Sequence, residues 1–302
     1  MNAAKAGEAV RLDTAHASGL STGCSQANSS AYSDLRGEPL QQVAYLYDGS
    51  LEGLLCCVFE AYSRHEDPED IVPEAAYQPR FEQSSFFVSA DYERALRVRR
   101  GVEREAGKKA FSAIAYAAAN DNPKTGIAVY RFIRYVMDGP KRNKRRSALN
   151  DLSNPVVADL VALEKHVVKE SERMRQFVRF SQLENGVWFA RCNPNANVVP
   201  LVMNHFASRF NIQPFIIFDE VHHISGVYDG NTWYLVADDV VNVPARSAED
   251  AFVEALWQQF YDSLSISSRY NPELRRHFMP VRLWKNIPEL HPVSKSALQK
   301  NA

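Results

Sequence analysis

Cysteine is scarce in this sequence. Cys24, Cys56, Cys57 and Cys192 are the four in 302 residues, and no two are spaced as CxxC. That excludes a disulfide framework and fits a reducing compartment. Cys56 and Cys57 are adjacent within an apolar helical pattern, where they read as small core residues. An excess of charge is missing as well. Lys and Arg number 35 against 36 Asp and Glu, a formal net charge of −1. No global field therefore draws the chain to nucleic acid or membrane, and any such attraction must come from local clusters. No run approaches the roughly 18 uninterrupted apolar residues of a membrane span, and the N-terminus lacks the apolar segment of a signal peptide. A cytoplasmic location is the expectation. The GxSxG elbow, the HExxH zinc helix and the Walker glycine loop are absent. So is the CxxxCxxC cluster motif, so the chain is not itself a radical S-adenosylmethionine enzyme. No metal and no cofactor are expected.

What is present reads as a globular protein, 45% hydrophobic and 24% charged, long enough to bury a substantial core. Residues 1–40, rich in Ala, Ser, Gly and Gln, lack hydrophobic periodicity and are expected to be a disordered tail. A single domain is expected over 41–290, with a C-terminal tail over 291–302. "VAYLY" suits a strand, and Leu51, Leu54, Leu55, Val58, Phe59 and Tyr62 recur at helical spacing behind a cap at Asp48 or Ser50. "HEDPEDIVPEAAYQPRFEQ" reads as a proline-punctuated acidic loop. Three helical patterns follow, over 91–104, 109–119 and 125–137. A long helix then starts after Asn154, with Pro155 in its first turn, and runs to Phe177. Asn185-Gly186 predicts a hairpin. A helix around "VVPLVMNHFASRF" precedes the strands "PFIIFDE", "ISGVYD" and "TWYLV", and the C-terminal segment is mainly helical. A block of helices between strand clusters argues for α+β with a mainly antiparallel sheet.

Three basic groups are the candidate nucleic-acid contacts. The first is Arg131, Arg134, Lys141, Arg142, Lys144, Arg145 and Arg146, with Asp138 the only acid among them. The second is Arg173, Arg175 and Arg179, interleaved with Phe177 and Phe180, a pattern that suits phosphate contacts beside a base-stacking surface. Its competing reading places the phenylalanines in the core and pairs the arginines with Glu170 and Glu172. The third is Arg275, Arg276, Arg282, Trp284 and Lys285. The stretch "FDEVHHISGVYDG" supplies the residue types of a metal or acid–base site in Asp219, His222, His223 and Asp229. If the flanking strands pair, however, "EVHH" is their connection and the histidines are exposed.

The order of segments resembles a known family. "YLYDGSLEGLLCCVFEAY", "RMRQFVRF", "NPNANVVPLVMNHFASRF", "IIFDE" with "VYDG", and "NPELRRHFMPVRLWKNIPEL" follow one another as in a bacterial family of DNA-metabolism proteins, a domain of unknown function. The resemblance runs from about Val43 to Leu290. It implies a gene neighbour, and presumed partner, that is a radical S-adenosylmethionine protein of DNA modification or repair. In some relatives the domain is fused to a uracil-DNA glycosylase-like domain. Its recognisable positions fall on Tyr47, Asp48, Gly49, Arg179, Phe180, His205, Phe206, Arg209, Asp219, Tyr228, Asp229, Met279, Pro280 and Trp284. Where relatives carry bases after the position of Asp219, this chain has "EVHH". The resemblance implies an accessory protein of DNA repair or modification that binds DNA, the radical enzyme or both, with no catalytic activity of its own. Two rivals follow from the residues. A nuclease or glycosylase-like enzyme would need Asp219, His205, Asp229 and Arg179 to meet in one pocket. A protein-interaction module would spread its basic groups over different faces.

Overall fold

The computed structural model describes residues 42–139, 148–237 and 243–291. The expected tail over 1–40, the expected tail over 291–302 apart from His291, and the "KRNKRR" loop lie outside the described residues.

Strand β1 (Gln42–Tyr47) leads into α1 (Leu51–Arg64) through a turn in which Gly49 takes a φ of +85°. Ser50 is the cap: its hydroxyl accepts from the Gly53 amide at 2.9 Å, while Asp48 accepts from the Ser50 amide and hydroxyl. The chain returns as β2 (Asp70–Pro73), parallel to β1, and β3 (Gln83–Phe87) adds to the other edge of β1, also parallel. Both returning strands lie within, or overlap the end of, the segment expected to be a loop. Their prolines and acids mask the pattern, because each strand occupies a sheet edge, where proline is tolerated.

Helices α2 (Tyr92–Ala106), α3 (Lys108–Ala118) and α4 (Thr125–Met137) follow, and then the 23-residue α5 (Pro155–Phe177), capped by the Asn154 side chain. The second sheet has the order β4–β5–β6–β7–β8, from β4 (Ser181–Gln182), β5 (Trp188–Cys192), β6 (Phe215–Asp219), β7 (Ile224–Tyr228) and β8 (Trp233–Ala237). Helix α6 (Val199–Phe210) is the crossover that makes β5 and β6 parallel; the other three pairings are antiparallel. Helices α7 (Ala248–Leu264) and α8 (Pro272–Phe278) follow, and short 3-10 turns over Val281–Asn286 and Pro288–Leu290 complete the described elements.

The fold is therefore α+β, but "mainly antiparallel" needs correction. The first sheet is wholly parallel and the second is mixed. Two strand–helix–strand crossovers, through α1 and α6, are responsible, because a helical return brings the next strand back in the same direction.

Helix α5, roughly 35 Å long at 1.5 Å per residue, belongs to two cores. Val157 and Leu160 pack with β1 and α1–α4, and Val167 and Met174 with α6 and the second sheet. The first core leaves no slack where α4 meets β2. A Cβ on Gly126 would come within 2.0 Å of the Ile71 carbonyl oxygen, which is backbone and cannot yield. Gly126→Ala should accordingly cost about 2 kcal/mol or more by overpacking, read as a lowered denaturation midpoint at unchanged slope.

Candidate functional site

The stretch from Arg175 to Phe180 joins the end of α5 to β4, and α6 packs beside it. Between them lies a cleft of about 350 Å³ lined by Arg175, Gln176, Val178, Arg179, Phe180, His205, Phe206, Arg209 and Phe210. That volume lies in the range of small-ligand sites, about 300–1,000 Å³. Phe180 is the hub of its floor, with ring centroids 5.3 Å from Phe206, 4.6 Å from Phe210 and 5.6 Å from Phe215. His205 and Arg209 are one helical turn apart on α6 and both are exposed.

The cations of the cleft are not equivalent. Arg175 pairs with Glu172 at 2.6 Å. Arg179 pairs with Glu289 at 3.0 Å and donates to the carbonyls of Gln176 and Val178, satisfying the C-terminal end of α5. Arg209 has no ion pair among the described residues. Two of the three guanidiniums are thus already matched by carboxylates, and Arg209 carries the uncompensated charge.

Earlier on α5, the carboxylate of Glu170 is fully buried. It receives Arg282, Arg173 at 3.1 Å and the Asn195 amide at 3.1 Å. Arg282 also donates to the Asn193 carbonyl at 2.6 Å. Arg173 and Arg175 of the second basic group therefore pair with Glu170 and Glu172, as one of the two sequence readings has it, whereas Arg179 pairs with Glu289; Arg175 and Arg179 still line the cleft.

The remaining candidates are dispersed. Arg131 is exposed on α4, and Arg134 on the same helix pairs with Asp138 and lies over the Tyr62 ring. Lys141, Arg142, Lys144, Arg145 and Arg146 lie outside the described residues. Arg275 stacks over Tyr270 and Trp284, Arg276 is exposed, the Trp284 indole donates to the Met279 carbonyl, and Lys285 pairs with Glu220 at 2.5 Å. Tyr47 is buried in β1. Tyr228 is buried and donates to the Asn211 carbonyl, while Asp229 accepts the amides of Asn231 and Thr232 and closes the β7–β8 turn, where Gly230 takes φ +99°. The four residues of the enzyme reading do not share a pocket: Arg179 and His205 line the cleft, and Asp219 and Asp229 do not.

Asp219 serves another arrangement. It is fully buried, and its Oδ2 meets His222 Nδ1 at 2.5 Å. The opposite nitrogen of His222 lies 3.0 Å from both oxygens of Asp121, in the α3–α4 loop. His222 is therefore not the exposed histidine expected of a strand connection, although His223, at φ +54°, is exposed. Burial pulls the imidazole pKa down, but the hydrogen bonds to Asp121 and Asp219 overcome it and hold the value up at about 9. With both nitrogens engaged, this imidazolium is a clamp between two loops. No cluster of three metal-ligating side chains occurs among the described residues.

Sequence reasoning missed Asp121, Glu289 and the burial of Glu170, which it named only as a partner of neighbouring arginines. Glu170 had left a signal: Val167, Glu170, Ser171 and Met174 fall at i, i+3, i+4 and i+7, so the acid sits in the apolar register of α5. Asp121 had none, because its partner is 101 residues away.

Compared with known protein families, residues 123–289 match the domain of unknown function DUF4130. The matched span holds the cleft, the Glu170 network and the second sheet, and it begins after α3. No curated protein and no solved structure matches the chain. No described helix is long and apolar enough to cross a membrane.

Two outcomes follow from these interactions. The folded-state pKa of His222 lies above the 6.5 of an unpaired imidazole, so its stabilisation is complete below about pH 6.5 and fades as pH rises to about 9. Urea titrations should show wild type losing on the order of 2 kcal/mol more than His222→Gln across that window. Glu170→Ala strands Arg173 and Arg282 beside a vacated site and should cost about 3 kcal/mol; Arg282→Ala should cost a similar amount. The double variant, measured by the same titration, should cost clearly less than the sum of the two singles.

Proposed function

The chain belongs to the DUF4130 family, and on that premise we propose that it is a cytoplasmic accessory protein of DNA metabolism, in repair or modification, that holds a nucleic-acid strand in the cleft between α5 and α6. The observation that carries this reading is the meeting of Arg175, Arg179, His205 and Arg209 over the Phe180, Phe206 and Phe210 floor. Guanidiniums that are planar and permanently charged suit phosphate oxygens, and aromatic faces accept any base. Arg209 supplies the main phosphate contact in this reading, because Arg175 and Arg179 already share their charge with Glu172 and Glu289. The chemistry is left to a partner, for which the family resemblance supplies the candidate, a radical S-adenosylmethionine protein of DNA modification or repair. The dispersal of Asp219 and Asp229 away from the cleft supports this division of labour over a nuclease or glycosylase-like activity in the chain itself.

Fluorescence anisotropy with single-stranded and duplex DNA over a salt series tests the reading. Wild type should bind with an affinity that falls as salt rises. Arg209→Ala should weaken binding roughly tenfold at low salt and flatten the salt slope by about 0.7–0.9, the loss of one phosphate contact. Binding that is absent, or unaltered by Arg209→Ala, would sink the proposal.

A further inference from the structure

Helix α7 is turned inside out relative to the rest of the protein. The face it sets against the body holds Ala255 and Gln258, whose amide nitrogen donates to the Pro288 carbonyl at 3.0 Å. The opposite face carries Val253, Leu256, Trp257, Phe260 and Leu264, between 45% and 62% exposed. Their spacing of i, i+3, i+4, i+7 and i+11 places them on one stripe. Trp257 and Phe260 stack on each other at a centroid distance of 5.7 Å. Beyond the helix, Ile266, Tyr270, Leu274 and Phe278 are more than half exposed as well. Together these side chains show on the order of 1,000 Å² of surface, where a monomer's largest apolar patch is about 300–600 Å² and a stable interface takes about 800 Å² from each partner.

The charges around the stripe favour one occupant. Helix α7 contains Glu249, Asp250, Glu254 and Asp262 and no Lys or Arg. Asp250 and Glu254 are matched by Arg246 just before the helix, which leaves Glu249 and Asp262 to disfavour phosphate backbones and anionic membrane surfaces along the helix itself. The segment that follows the helix is basic, with Arg269 and Arg276 exposed and without ion pairs among the described residues. Glu249, at the N-terminal end of the stripe, is likewise exposed and unpaired among them. A surface that is acidic at one end and basic at the other is complementary to itself when a second copy lies antiparallel. Such a pairing also opposes the two helix dipoles.

We propose that the α7 stripe is the interface of a two-fold symmetric dimer, in which α7 of one copy packs antiparallel on α7 of the other. Trp257 and Phe260 lie near the axis, and Glu249 of each copy faces Arg269 of the other. In an isologous interface every contact occurs twice, so one substitution removes two ion pairs.

Sedimentation equilibrium of the full chain across the micromolar range tests this. Wild type should approach twice the chain mass of 34.1 kDa, and Trp257→Glu should remain at one chain mass with an unchanged circular dichroism spectrum. Glu249→Arg and Arg269→Glu are exposed changes that leave the fold alone. Each should weaken dimerisation roughly threefold to tenfold, and the double variant Glu249→Arg/Arg269→Glu should regain the wild-type constant. A chain that stays monomeric throughout overturns the proposal. A dimer indifferent to Trp257→Glu, or one not rescued by the double reversal, overturns it equally.

Discussion

The carboxylate of Glu170 holds together three pieces of chain that are far apart in sequence. It sits at the second-core end of α5 and receives the backbone of the β5–α6 connection through Asn195 and the C-terminal segment through Arg282. Arg173 takes its second oxygen. A buried charge is tolerable only when its oxygens are matched, so the group demands that all three pieces arrive together. Asn193 adds to the same junction by exchanging hydrogen bonds with the backbone and side chain of Arg282. Since α5 continues from this point to the cleft, the network sets where Arg175, Arg179 and Phe180 stand relative to α6.

Among the described residues, the arginines around the cleft and the buried junction are largely matched by carboxylates. Arg134, Arg173, Arg175, Arg179, Arg246 and Arg282 all have carboxylate partners, and His222 is held by two. A near-neutral chain can still present a local field, but only through the cations left over. Arg209, on the rim of an aromatic cleft, is one of them, and it separates a binding surface from a decorated one. The Asp121–His222–Asp219 clamp has catalytic residue types and a structural geometry. Neither ring nitrogen is free to exchange a proton with a substrate, and the aspartate behind it is sealed in the sheet.

The first core and α7 handle apolar surface differently. The first core closes so tightly that α4 needs a glycine against the Ile71 backbone, whereas α7 anchors itself through a glutamine and turns its tryptophan outward. A self-pairing face of that kind would leave the α5–α6 cleft to other ligands, since the cleft lining shares no residue with the stripe.

Local chemistry made several features legible in the sequence. The cap of α1 at Asp48 or Ser50, the turn at Asn185-Gly186 and the long α5 starting after Asn154 follow from hydrogen bonding and backbone freedom within a few residues. Phe180, His205 and Arg209 stood out through the family resemblance, and Arg175 and Arg179 through their aromatic neighbours. Their meeting in one cleft was not legible, because it depends on the packing of α6 beside the end of α5. The parallel strands β2 and β3 were missed for a related reason. Their pairing partner is β1, and edge positions tolerate the prolines and acids that made the segment look like a loop. The C-terminal segment read only as mainly helical, and the fold decided that the apolar side of α7 faces outward. The sequence by itself determined what each residue could do within its own turn of chain. The tertiary structure alone decided which charges are cancelled, because cancellation is a matter of distance between groups as far apart as Asp121 and His222 or Glu170 and Arg282.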